Sequence, residues 1–277
     1  MASSRTLAAI RGDIRAQWPS IVKRARVRRG ARKALPLNPT LLGTGTKTEK
    51  GEGLGYLTSV VYMSPAREAF GPGDKRTLCP MATAACSAVC LGAKAGRMIM
   101  RPVKRSRLWK AALYLGARDL WRELLRAEVR SFARTAERAG LRPVVRVDGS
   151  TDTGEGAFLA AAFPSVTFYD YTKVPNRALF HAGDPSYRIT FSYSGRNADD
   201  ALRVLAAGGN VAVVFATPRK GALPTTWWGA PVIDGDVTDL RFLDPTGGMI
   251  VGLRFKAAAQ RAEAMRAAVL GGFAVEA

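Results

Sequence analysis

Cys79, Cys86 and Cys90 are the only cysteines in the chain, and they fall within twelve positions of one small-residue segment, Leu78 to Leu91. Six residues separate the first two and three separate the last two. Positions four apart on a helix share a face, so Cys86 and Cys90 could bridge one metal if that segment is helical. Three thiolates with no fourth ligand beside them leave a coordination position open. That suits a four-iron, four-sulfur cluster with one free iron, or a catalytic metal with an exchangeable site. The spacing therefore predicts a cofactor held by Cys79, Cys86 and Cys90, and an enzyme rather than a passive binder. Zinc is an alternative occupant. A structural zinc asks for four protein ligands, however, and the one histidine, His181, is far away in sequence. The opposing reading is a packed Ala/Ser/Cys helix whose thiols are small buried apolar groups.

Charge points to the partner. The chain carries 42 Lys+Arg against 22 Asp+Glu, a net charge of +20. A polyanion is the natural partner of such a surface, and nucleic acid, DNA before RNA, is the leading one. The cluster Arg97, Arg101, Lys104, Arg105, Arg107 and Lys110 has no acidic neighbours and follows the cysteines directly. A second basic run, Lys23 to Lys33, includes Arg28 and Arg29. Arg118, Arg122, Arg126, Arg130, Arg134 and Arg138 recur every four residues with Asp119, Glu123, Glu128 and Glu137 among them. That pattern reads as a salt-bridged solvent face. There is no apolar run able to span a membrane and no apolar core of a secretory signal. An odd number of cysteines argues against a disulfide framework. The expectation is a protein of a reducing cytoplasm with no membrane partner.

These groups need a frame. Residues 1–53 read as a basic amphipathic helix and a Pro/Gly/Thr-rich linker, with Leu7, Ile10, Ile14 and Trp18 at helical spacing. Residues 54–277 read as an α/β catalytic domain. Strands are expected at Tyr56–Met63, Pro143–Asp148, Val166–Asp170, Tyr187–Tyr193, Val211–Ala216, Pro231–Asp234 and Met249–Leu253. Helices are expected over 103–139 with a break near Gly116, over 157–162, from Asn176, over 198–207 and over 257–270. Short Val/Ile/Phe-rich strands alternating with helices predict a mostly parallel sheet. Seven strands suit a (β/α) barrel, complete or partly open. A doubly wound sheet is the alternative.

In parallel α/β folds function gathers at the C-terminal strand ends. Asp148 and Asp152, Asp170 and Lys173, Arg196, and Asp234 all occur at such ends. The aspartates are candidates to bind substrate or move protons. Lys173 and Arg196 suit phosphate or carboxylate contacts. An Asp before Gly also makes turns and helix caps, so each aspartate has a structural reading beside the catalytic one.

Several motifs carry a resemblance. Leu54 to Thr58, Leu78-Cys79-Pro80 with Cys86 and Cys90-Leu91, Gly96-Arg97, Val145 to Asp152, Phe168 to Lys173 and Val232 to Asp236 together resemble the phage and prophage gene product eighty-eight family, over residues 36–255. The resemblance implies a protein made in the bacterial host cytoplasm. A cysteine triad after the first strand of a barrel is also similar, in architecture, to radical S-adenosylmethionine enzymes. Their spacing is three and then two, and no clear glycine-rich motif for S-adenosylmethionine follows the second strand here. The resulting expectation is a metal- or iron–sulfur-dependent enzyme of phage DNA modification or metabolism. Two alternatives accompany it. One is a base-exchange, glycosidic-bond or Mg²⁺-dependent enzyme that works through the strand-end aspartates. The other is a non-enzymatic nucleic-acid-binding factor with a structural metal.

Overall fold

Thr6 starts the first helix: its hydroxyl accepts the Ala9 amide at 3.2 Å, as an N-cap should. In the computed structural model, which describes residues 5–44, 51–65, 76–90, 96–256 and 261–276, the chain divides into two units. Unit 1 comprises Met1–Cys79 and Arg97–Thr153; unit 2 comprises Pro80–Gly96 and Gly154–Ala277.

In unit 1, α1 (Leu7–Ala25) buries Ile10, Ile14, Trp18, Ile21 and Val22 against α3 (Arg101–Gly116) and α4 (Arg118–Arg138). The expected break falls at Gly116. A Cβ there would sit 2.2 Å from the Ile21 carbonyl oxygen, so only glycine lets α1 and α3 approach this closely. β2 (Tyr56–Val61) pairs in parallel with β3 (Arg142–Arg146), and the short β1 (Leu42–Gly43) pairs antiparallel with β2.

A buried carboxylate latches β1 in place. Glu128, on α4, accepts the Leu41 and Leu42 amides at 2.9 Å each and the Thr40 hydroxyl at 3.0 Å. Lys110 Nζ donates to the Leu41 carbonyl at 2.6 Å. Glu128 thus serves the interior and not the solvent face expected for this helix. Burial lowers the Lys110 ammonium from 10.5 to about 8, with the Glu128 charge opposing the shift. A lysine whose folded value lies below its unfolded one loses its proton first in the native state. This group therefore costs stability below pH 8 and releases that cost as pH rises from about 8 to 10.5. The unfolding free energy of wild type relative to Lys110→Met should climb across that window. Urea titrations of both proteins at pH 7.5 and 10 check this; a constant difference would count against it.

In unit 2 the strands run β4 (Thr167–Thr172), β5 (Tyr187–Ser192), β6 (Asn210–Phe215), β9 (Ile250–Arg254) and β8 (Ala230–Asp234), all parallel. β7 (Thr226–Trp227) pairs antiparallel with β8, and β10 (Ala274–Val275) adds in parallel to β6. The connections carry α5 (Glu155–Ala162), α6 (Pro175–Phe180) and α7 (Ala198–Ala206). Phe191, Val204, Val211, Val213, Phe215 and Ile250 form the core. The near-continuous apolar run of β6 is what a strand covered on both faces requires. The β7–β8 hairpin turns on Trp228 and Gly229, both left-handed at φ 51° and 76°, the conformation a two-residue turn needs.

The chain is thus mixed α/β with mostly parallel strands. In neither unit do the described strands close on themselves. Moreover, β9 inserts between β6 and β8, whereas the strands of a (β/α) barrel sit beside their sequence neighbours.

Candidate functional site

β3 leads into a tight loop, Val147 to Thr153, in unit 1. Asp148 is buried and accepts the Thr151 hydroxyl at 2.7 Å, the Thr153 amide at 2.9 Å and the Thr153 hydroxyl at 2.8 Å. Three donors from its own loop converge on that carboxylate, so Asp148 fixes the loop's shape. A Cβ on Gly149 would fall 2.4 Å from Val60, so glycine presses the loop onto β2. The Ser150 hydroxyl donates to the Met63 carbonyl at 2.7 Å. Cys79 Sγ lies 3.9 Å from the Ser150 carbonyl, and the Asp152 amide donates to the Leu78 carbonyl at 2.8 Å. Unit 1 therefore brings Cys79, Asp148 and Asp152 to one loop at the C-terminal end of β3.

Unit 2 builds a second cluster within β4, which runs on to Thr172, so Asp170 lies inside the strand and not at the end expected for it. Asp170 is 1% exposed and accepts the Tyr187 hydroxyl at 2.9 Å. Gly156, in the first turn of α5, is what admits this pair. A Cβ there would meet both Asp170 Oδ2 and the Tyr187 oxygen at 2.6 Å. Gly154, at φ 78°, lies against the Arg177 guanidinium in the same way. Arg177 Nη1 donates to the Thr172 hydroxyl at 3.1 Å. Lys173 follows β4 and is half-buried, and Glu155 is buried. A carboxylate hydrogen-bonded to a phenol can hold or pass a proton, and a guanidinium beside it can receive an anion. Sequence reasoning named Asp170 and Lys173 but missed Glu155, Arg177 and Tyr187. The signal for the first two was the flanking of Glu155 by Gly154 and Gly156, which marks close approach. Tyr187→Phe removes this donor and should cost about 1.5–3 kcal/mol, the range for a hydrogen bond to a charged group. Thermal and urea unfolding read this out; a change below about 0.3 kcal/mol would show the bond is dispensable.

The cysteine segment begins unit 2. α2 (Ala84–Ala88) is capped by Thr83, whose hydroxyl accepts the Cys86 amide at 3.1 Å and donates to the Ser194 carbonyl, just past β5, at 3.3 Å. α2 packs on α8 (Arg261–Leu270), and a Cβ on Gly271 would strike Ala85 at 2.4 Å. So Cys86 stands at the C-terminal end of β5. The shared helical face expected for Cys86 and Cys90 is not formed, because the helix ends at Ala88 with Val89 as its cap. All three cysteines are partly exposed. Among the described residues no group of three or more His, Cys, Asp or Glu is arranged to hold a metal ion. Leu91 lies outside the described residues.

Asp234 sits apart from these groups in a surface ion network. Arg254 Nη1 donates to its two oxygens at 2.8 and 2.9 Å and also reaches Asp236 at 3.2 Å. Hydrogen bonding from Arg254 holds the Asp234 carboxyl below its ordinary value.

Of the basic residues, Arg28, Arg97, Arg101, Lys104, Arg105 and Arg196 are exposed. The Arg29 side chain lies outside the described residues. Arg107 corrects the expectation of a uniformly exposed cluster: it is 1% exposed, and burial lowers its guanidinium to about 10. Lys110 is buried as well. Both lie on the packed face of α3 with Trp109 and Leu113, a helical spacing of three to four that the charge pattern concealed.

Residues 37–268 match the family described as Gene product 88, and the chain belongs to that family. No curated protein and no solved structure matches the chain. No helix among the described residues is long and apolar enough to cross a membrane.

Proposed function

We propose that this member of the gene product 88 family is a metal- or iron–sulfur-dependent enzyme of phage nucleic-acid modification, acting on DNA in the bacterial host cytoplasm. One observation carries the reading. In each unit the reactive groups stand at C-terminal ends of parallel strands: Cys79 beside the loop of Asp148 and Asp152, and Cys86 on a helix tied to the loop after β5. That is where parallel α/β proteins do chemistry.

Cys79, Cys86 and Cys90 are the residues that would hold the cofactor. Their ligand set is not assembled among the described residues. When bound, a cluster with an open iron supplies electron transfer or Lewis acidity. Asp170 and Tyr187 hold the proton that the reaction moves. Arg177 and Lys173 receive phosphate oxygens. Exposed Arg97, Arg101, Lys104 and Arg196 supply the sequence-independent attraction to the backbone. Anaerobic purification followed by iron and sulfide analysis tests the cofactor. About four irons per chain is expected for the cluster, and a colourless protein free of any metal rejects it.

A second reading rests on the Asp170–Tyr187 pair, which is hydrogen-bonded without any cofactor. It makes the protein a base-exchange, glycosidic-bond or Mg²⁺-dependent enzyme using its strand-end carboxylates. In that case activity survives replacement of all three cysteines and is lost in Asp170→Asn.

A further inference from the structure

Two basic runs that are distant in sequence meet on one surface of unit 1. A 3-10 turn, Arg29–Lys33, follows α1 and packs on α3. There the Arg105 guanidinium donates to the carbonyl of Lys33, 72 residues earlier. Arg32, Lys33, Arg97, Arg101, Lys104 and Arg105 are all exposed. Neither run, 23–33 nor 97–110, contains an Asp or Glu. Arg101, Lys104 and Arg105 stand three and four positions apart on α3, so they share a face.

Within this charge stand two apolar side chains. Ile99 is 52% exposed and Met100 is 50% exposed. Arg97 precedes them, and Arg101 and the exposed Pro102 follow. Their backbone is held. The Met100 amide donates to the Arg97 carbonyl at 3.1 Å, and the Met100 carbonyl accepts the Lys104 amide at 2.9 Å. α3 itself is anchored by buried Trp109 and Leu113. Single apolar residues on a surface mean little. An aliphatic pair fixed at the centre of a basic cluster has a use on nucleic acid.

We propose that this surface binds double-stranded DNA, with Ile99 and Met100 entering between adjacent base pairs from the minor groove. The cations draw the phosphate backbone onto the tip. Ile, Met and Pro are among the side chains that serve as wedges, unstacking a step and kinking the duplex. A single strand is gripped differently, by aromatic rings on which bases stack, and the aromatic residues of α3, Trp109 and Tyr114, are buried. An anionic membrane also attracts arginines, but holding a helix there takes a continuous apolar face, whereas the exposed side of α3 presents Arg101, Lys104 and Arg105. The inference rests on the nucleic-acid partner proposed above, and not on the cysteines or the aspartates.

The test titrates the full chain onto a duplex of about 20 bp with a dye at each end and 2-aminopurine at a central TA step, a step that kinks readily. Energy transfer between the dyes reads the bend, and 2-aminopurine brightens when it is unstacked. Wild type should raise both signals. Ile99→Ser/Met100→Ser should bind within about tenfold as tightly but leave both signals at their free-duplex values. Arg101→Gln/Lys104→Gln should weaken binding and lower the slope of log affinity against log salt by about 2. These four side chains are exposed, so the variants should fold, which circular dichroism checks. If the double serine variant does not fold, Met100→Ser carries the test. Duplex binding with neither signal changed, or signals that persist in a folded serine variant, overturns the wedge and leaves the nucleic-acid partner standing. No duplex binding, or binding to anionic vesicles in its place, overturns both.

Discussion

Serine at Cys79, Cys86 and Cys90 together will leave the protein folded, without bound iron, and unable to act on nucleic acid. Folding should survive because each thiol is partly exposed and serine differs from cysteine by one atom. The helix carrying Cys86 is held by Thr83 and by packing on α8, neither of which needs a thiol. A stability change within about 1 kcal/mol is therefore expected. Activity should fall by more than the roughly 100-fold that losing a group supporting a metal ligand costs, since the proposed ligands themselves are gone. Full activity in the folded triple variant would transfer the chemistry to the carboxylates.

Alanine at Glu128 will have the largest effect on stability. It withdraws the acceptor from the Leu41 and Leu42 amides and the Thr40 hydroxyl, and it removes the countercharge of the buried Lys110 ammonium and of Arg11, 3.7 Å away. Breaking a buried charge pair on one side costs about 3–5 kcal/mol, a large share of the 5–15 kcal/mol of a typical domain. Glu128→Gln keeps one acceptor oxygen and should cost less. Urea unfolding with far-UV circular dichroism measures both, and an alanine penalty under about 1 kcal/mol would mean the latch is idle.

The alternation of strands and helices was legible because each element is long enough to show its period. β6 was expected at Val211–Ala216 and spans Asn210–Phe215, and the helix break at Gly116 was plain from the glycine. β1, β7 and β10 are two residues each, too short for alternation to register. The insertion of β9 between β6 and β8 depends on tertiary pairing that no local window contains.

The site was half legible for similar reasons. Aspartates at or near strand ends announced the clusters of Asp148 and Asp170. Tyr187 was invisible as a partner because only the register of β5 on β4, Phe168 opposite Tyr187, brings it to Asp170. Arg107, Lys110 and Glu128 read as surface charges because charge alone does not report which helix face is packed. A five-residue helix gave no sign that it would stop before Cys90.

The activity proposed for this protein is a covalent change to nucleic acid. Mass analysis of nucleosides from cells expressing the wild type, the triple serine variant or no protein tests it most directly. A nucleoside of altered mass is expected in DNA from the wild-type cells alone. Identical nucleosides in all three, with the protein folded, metal-loaded and bound to nucleic acid, would contradict it and leave a binding factor in its place.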